Sequence, residues 1–348
     1  MKTRGLLVTL AAAVALAACG GGAAAPTSSA SPGKLQPATI KVALPGLKVA
    51  FSQSDIAVAQ ANGFFREQAL TVQTEGLSSG VKTVQAVVAG DSDIGASSIE
   101  PVLGAAARSN LKIIGSYSDR LPVVMETPDS VRKAGDLRGK PLGIQDVGAF
   151  REIMTRAVYQ SAGLTQGDVQ YVPVADTGYI SALLTGKIDS AILQQEQSVD
   201  AEGRDPSLHV LIDLFKLWPQ YYYGTYFVKA DWLQQNRDVA VRFLTAIQKA
   251  HRFIYQNRAK AVAQIAAATG FTQAVTNKAY DRLIVKDGVF AVNEGLQQNR
   301  LQFTVGKMKQ IGLLPNGAPN LQMVVDRGPI TQAVKNVGGD MKGDPRWH

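Results

Sequence analysis

Apolar and polar positions change period repeatedly along this chain. Alternation in twos, as in a half-buried strand, gives way to spacings of three and four, as on one face of a helix, and then returns. From residue 40 onward the pattern predicts strands opening at 40, then at 70–74, 94–96, 112–117, 123–126, 142–145, 169–174, 190–193 and 226–229. Helices are predicted between them, at 56–60, 81–89, 101–108 and 178–185. Another helix carries Phe150, Ile153, Met154, Ala157 and Val158 on one face. Beyond the last strand the chain reads as helical over 231–258, 259–268 and 296–311. Strands alternating with helices argue for an α/β fold with mainly parallel sheets.

One phrase occurs twice. Ala86-Val87-Val88-Ala89-Gly90-Asp91-Ser92-Asp93-Ile94 returns as Ala182-Leu183-Leu184-Thr185-Gly186-Lys187-Ile188-Asp189-Ser190. Each copy is a helix stopped by a glycine, whose backbone can turn left-handed, then an aspartate in the tight connection, then a strand. A unit placed once in each half predicts two similar lobes, and a cleft between lobes is where small molecules bind. Gly90, Gly186, Asp93 and Asp189 are read as scaffold. The segments that follow, Ser97-Ser98 and Gln194-Gln195-Glu196, are expected to face each other across the cleft.

The N-terminus reads as a targeting segment. Lys2 and Arg4 precede an apolar run over 6–15, too short for a membrane span, and Leu16-Ala17-Ala18-Cys19 follows. This resembles the bacterial lipobox, which implies a signal peptide at 1–18 and a lipid on Cys19. Cys19 is the single cysteine, so the chain forms no internal disulfide. Residues 19–38, rich in Gly, Ala, Ser, Thr and Pro, read as a flexible tether. The rest divides into lobe I at 39–139 and 225–337, lobe II at 140–224, and a tail at 338–348. The turn at Asp136-Leu137-Arg138-Gly139-Lys140-Pro141 is taken as the handover. Removing Lys2 and Arg4 from the 36 basic residues leaves 34 against 28 acidic ones, a net of +6. The basic residues are scattered, which argues against nucleic acid as a partner.

Several phrases follow one another along the chain: Ala59-Gln60-Ala61-Asn62-Gly63-Phe64-Phe65, both glycine–aspartate repeats, residues 136–144, Ala162-Gly163-Leu164-Thr165-Gln166-Gly167-Asp168-Val169 and residues 236–244. In series they resemble the substrate-binding lipoproteins of bacterial ABC importers. The branch is the one that includes taurine, sulfonate and nitrate binders and the thiamine-pyrimidine and riboflavin binders. The resemblance implies the type II periplasmic-binding architecture: two α/β lobes, two crossovers and a ligand cleft at the hinge. It also implies a small-molecule ligand, permease and ATPase partners, and a lipid-anchored position at the cell membrane, outside the cytoplasm. The pyrimidine synthases of the same superfamily carry a cysteine-rich motif that one cysteine cannot supply. No P-loop, zinc-protease motif, nucleophile elbow or metal-ligand spacing is present, so neither an enzyme nor a bound cofactor or metal is expected.

Within that fold, helix N-termini at the cleft offer free N–H groups. The expected contacts are Ser52, Gln53, Ser54 and Asp55; Ser78 and Ser79; Ser97 and Ser98; and Gly148 with Phe150. At the crossovers, Tyr117, Asp119, Trp218, Tyr222 and Tyr223 are added, with aromatic faces that can stack on a flat ring. Gln194 and Glu196 offer an amide and a carboxylate. Aromatics and amides favour riboflavin or a thiamine-type pyrimidine precursor. An aliphatic sulfonate, taurine or nitrate is the alternative, as is a surface lipoprotein that senses a ligand without transporting it.

Overall fold

The computed structural model describes residues 35–314 and 317–342, and among these a folded unit begins at Gln36. The leader, Cys19, most of the tether and the end of the tail lie outside the described residues.

Among the described residues, ten strands form two five-stranded sheets. The first contains β1 (Ala38–Leu44), β2 (Leu70–Gly76), β3 (Ile94–Ser98), β4 (Leu111–Ser118) and β10 (Gly224–Lys229), in the order β2-β1-β3-β10-β4. The second contains β5 (Val123–Pro128), β6 (Pro141–Ile144), β7 (Gln170–Pro173), β8 (Ser190–Gln194) and β9 (Leu208–Asp213), in the order β7-β6-β8-β5-β9. In each sheet four strands point the same way and the fifth runs antiparallel to its two neighbours: β10 in the first, β5 in the second. The sheets are thus built alike, as the repeated phrase suggested.

The repeat explains part of that likeness. Gly90 and Gly186 both take left-handed backbone, with φ of 86° and 67°. The amides just after them return to the carbonyls of Ala86 and Ala182. The aspartate amides then bond to the edge of the neighbouring strand, Asp93 to Lys41 O at 3.0 Å and Asp189 to Pro141 O at 2.8 Å. The helix stop and the strand register are therefore set by one short local unit in each half.

The handover between sheets differs from the sequence expectation. Val123–Pro128 is not the last strand of the first lobe. It pairs with β8 and β9 inside the second sheet, so the chain crosses at 119–122 rather than at 139/140. The turn at 136–141 is internal to the second half, where Gly139 N–H bonds to Asp168 O. The chain returns through residues 214–223 to β10. Strand β9 was not anticipated, and the run opening at 40 ends at Leu44, with a 3-10 turn at Phe51–Gln53.

The core of the first half is apolar, with Ile40, Val42, Ile94, Ile113, Phe227, Phe243 and Ile247 all under 3% exposed. The long helix Arg237–Gln256 lays its apolar stripe on this core. One polar cluster is sealed within it. Asp55 Oδ2 accepts from Tyr226 Oη at 2.8 Å and lies 3.0 Å from His251 Nε2. Asp55 Oδ1 accepts from Ile56 N–H at 3.0 Å. His251 Nδ1 sits 2.7 Å from the carbonyl of Ala291, which can only accept, so Nδ1 carries the hydrogen. Asp55 and His251 are both fully buried.

Candidate functional site

A cavity of about 370 Å³ lies between the two sheets. Among the polar contacts that join the halves, four lie around it. Phe51 N–H donates to Glu196 Oε1 at 2.9 Å, and Ser52 Oγ lies 3.4 Å from Gln194 Oε1. Leu47 N–H donates to Asp176 Oδ2 at 3.1 Å, and Gln145 Nε2 donates to Ser78 O at 3.2 Å. In addition, the Phe150 ring meets Tyr223 at a centroid distance of 4.6 Å.

The ends of local elements place the lining groups. Strand β8 delivers Gln194, and the helix Gln195–Arg204 starts at once, with Gln197 turning back to accept from Gln194 N–H. That start leaves Glu196 facing the cavity from the first turn. Gly148, at φ 82°, supplies the left-handed step before the helix Phe150–Ser161, whose first two residues, Phe150 and Arg151, line the cavity. Strand β3 ends on Ser98, and the return crossover ends on Tyr223.

Six expected residues line this cavity: Gln53, Ser98, Phe150, Gln194, Glu196 and Tyr223. The others are placed elsewhere. Ser52 and Ser54 are buried in the turn beneath it, and Ser54 Oγ donates to Phe51 O. Asp55 belongs to the sealed cluster with His251. Ser78 contributes a carbonyl to the closing contact with Gln145, while Ser79 and Ser97 are buried behind the wall. The hydroxyls of Ser79 and Ser98 do not cap the helices that follow. Tyr117 is wedged edge-on against Tyr223 and Tyr226 in the core. Tyr222 is buried with its hydroxyl 3.4 Å from Gly115 O, and Trp218 stacks on Tyr221 at 5.3 Å. Asp119 is buried at the outward crossover, and Gly148 borders a separate apolar groove.

Sequence reasoning missed Arg151, Asp176 and Tyr179. The Arg151 guanidinium bonds to Ile192 O, donates to Gln197 Oε1 at 3.0 Å, covers the Tyr179 ring at 4.3 Å and lies 3.9 Å from Asp176. A signal was available: Arg151 directly follows Phe150, itself expected at the cleft. In formal charge, Lys48, Arg151 and Arg204 on the wall are matched by Asp176, Glu196 and Asp200.

Two buried polar atoms on lining residues, Tyr179 Oη and Glu196 Oε2, have no partner in the protein, whereas the Ser98 hydroxyl faces Glu100 and Asp200 Oδ2 pairs with Arg204 at 2.9 Å. Burial pushes the Glu196 carboxyl above the usual carboxylate range, opposed by the Phe51 N–H. It also raises the Tyr179 hydroxyl, opposed by Arg151. Among the described residues no group of three or more His, Cys, Asp or Glu is gathered as a metal would need, and no helix is long and apolar enough to cross a membrane.

Comparison with solved structures bears on the fold alone at these identities. The alkanesulfonate-binding protein SsuA of Xanthomonas axonopodis pv. citri, bound to MOPS, is 17% identical with a TM-score of 0.70 over 84% of this chain and 99% of its own. The periplasmic nitrate-binding protein NrtA of Synechocystis is 12% identical with a TM-score of 0.71 over 87% and 90%. The desulfurization enzyme DszB is 14% identical with a TM-score of 0.61 over 86% and 99%. Two α/β halves in this arrangement are the periplasmic-binding-protein fold. In sequence, a Brucella abortus protein whose name describes it as a candidate binding protein is 23% identical over 210 residues, spanning 59% of this chain and 64% of that one. Residues 51–261 match the family described as NMT1/THI5 like, more than half of the sequence, and the chain belongs to that family.

Proposed function

We propose that this chain is the solute-binding component of an ABC importer. In this reading it is held at the membrane by a lipid on Cys19 and faces away from the cytoplasm. It takes up a small, flat, polar organic molecule between its halves and presents the closed form to a permease. The observation that carries the ligand class is the set of unpartnered atoms. Tyr179 Oη and Glu196 Oε2, both from the second half, are buried at the cavity without protein partners, a costly state unless a ligand completes them. Glu196 Oε2 asks for an N–H donor, and the Phe150 and Tyr223 rings supply apolar faces. Balanced formal charge on the lining side chains favours a neutral or zwitterionic molecule over a bare anion. A cavity of about 370 Å³ is at the small end of ligand pockets. That suits a pyrimidine of the thiamine-precursor type better than riboflavin. The relatives named as binding proteins support the importer role.

A second reading is a sulfonate or nitrate binder, and Arg151 favours it, as a guanidinium only 6% exposed on the cavity wall. Thermal shift of the purified chain separates the two. A hydroxymethyl-aminopyrimidine, riboflavin, taurine and nitrate are each added at about 100 times a micromolar Kd. Occupancy at that level contributes about 2.7 kcal/mol, a rise of about 5 °C for a chain of this size. A shift with the pyrimidine alone is the expected result. A shift with taurine or nitrate alone sinks the ring reading, and no shift with any of the four removes the support for both.

A further inference from the structure

The helix Gln273–Tyr280 and the π-helical turn Asp281–Lys286 that follows it are anchored to the first half. Tyr280 Oη donates to Ile254 O at 2.7 Å, and Arg258 holds Asp281 at 2.7 Å. From this turn Arg282 reaches the other half. Its Nη2 lies 2.8 Å from Glu202 Oε2, and its Nη1 donates toward Ser198 Oγ at 3.3 Å and Gln195 Oε1 at 3.4 Å. All three partners stand on the helix Gln195–Arg204, whose first turn puts Glu196 and Gln197 on the cavity wall. Beneath them Ser198 Oγ donates to Glu126 Oε2 at 2.8 Å, from strand β5. Glu126 is fully buried, so the contacts form a chain from a half-exposed guanidinium to a sealed carboxyl.

We propose that Arg282 is a positioning residue: it clasps the helix Gln195–Arg204 and so holds Glu196 and Gln197 against the first half, with Ser198 and Glu126 as the inner end of the clasp. The proposal rests on the cavity being the ligand site, but its geometry needs no ligand. The inner end gives the clasp a pH range. Burial pushes the Glu126 carboxyl up to about 7; Ser198 opposes this, Glu202 adds to it, and Arg282 opposes it. The groups facing Glu126 are therefore Ser198 and Glu202 from the helix and Arg282 from the π-turn. An ionised Glu126 draws the Ser198 hydrogen toward itself and leaves that oxygen free to accept from Arg282. Bringing Arg282 close in turn favours the ionised carboxyl. The clasp therefore tightens as pH rises through about 7 and slackens as pH falls below it.

The test is amide hydrogen exchange on the full chain without ligand, read at Phe51, whose N–H crosses to Glu196. Protection is corrected for the intrinsic pH dependence of exchange. Arg282→Gln is expected to lower Phe51 protection about five- to tenfold, the scale of an ion pair reinforced by hydrogen bonds. Arg282→Lys should restore part of it, and the β1 and β8 amides of Val42 and Ile192 should be unchanged. In the unmodified chain, Phe51 protection should fall between pH 7.5 and pH 6, and Glu126→Gln should abolish that fall. Unchanged Phe51 protection in Arg282→Gln overturns the proposal, and so does an equal loss at Val42 and Ile192. If Arg282→Gln does not fold, the pH profile of the unmodified chain decides alone, and a flat profile overturns the clasp. A failure to find any ligand would sink the importer reading and leave these outcomes untouched.

Discussion

Replacing Asp55 by alanine should be among the most damaging single changes in this chain, although the side chain touches no solvent and does not line the cavity. The carboxylate is fully buried and joins three groups: Tyr226 Oη at 2.8 Å, His251 Nε2 at 3.0 Å and Ile56 N–H at 3.0 Å. Truncation strands the tyrosine hydroxyl and the imidazole nitrogen where water does not reach, since Tyr226 is 1% exposed and His251 not at all. Each stranded group costs about 1–3 kcal/mol, and breaking a buried polar pair costs about 3–5 kcal/mol in total. The expected loss is therefore about 3–4 kcal/mol. Asp55→Asn keeps an acceptor for one partner and should lose about half as much. An exposed pair gives the scale: Asp238 lies 3.0 Å from Arg242 with its own side chain 74% exposed, and Asp238→Ala should cost under about 0.5 kcal/mol. Urea unfolding followed by tryptophan fluorescence measures all three, the midpoint moving while the slope stays constant. If Asp55→Ala loses less than about 1 kcal/mol, the sealed cluster is not what secures the turn beneath the cavity. A double-mutant cycle with His251→Ala should show strong coupling between the two sites.

Two further outcomes follow from packing and titration. A methyl group on Gly224 would lie 2.2 Å from the Tyr117 ring, with its other near contacts on the same side chain, so Gly224→Ala should cost about 1–3 kcal/mol in the same unfolding assay. Burial, and then Asp213, push the Asp287 carboxyl up to about 7, above its value in an unfolded chain. The folded state then binds the proton more tightly, so this group's contribution is full at low pH and is lost as pH rises from about 4 to about 7. Asp287→Asn should remove that dependence and gain on the unmodified chain at pH 8; parallel stability profiles for the two proteins would count against the assignment.

Much of the architecture was legible because it is written locally. Gly90 and Gly186 end helices through backbone geometry that a single residue imposes, and Asp93 and Asp189 follow in the same short unit, so both copies could be read without knowing what they pack against. The strand at Val123–Pro128 was legible as a strand, yet its sheet was not. Alternation says that a segment is half buried, whereas its partners Gln194 and Asp213 are set by distant residues and by the path of the crossover. The tyrosines show the same limit. Tyr222 and Tyr223 are adjacent and chemically alike, but Tyr223 faces the cavity while Tyr222 turns to Thr304 and Gly115. Arg151 escaped notice because a charged residue at a helix start reads as solvated; here Ile192 O, Gln197 and the Tyr179 face replace water around it.

By itself the sequence determined two similarly built α/β halves, the family, and the segments from which a cleft would be lined, since turn chemistry and apolar periodicity act over a few residues. Tertiary structure alone decided which of those residues meet. Ser98, Tyr179 and Glu196 come from three separate elements, and Arg282 reaches Ser198 and Glu202 across more than seventy residues of chain. Such juxtapositions depend on how two sheets are threaded and closed, and no local spacing records that.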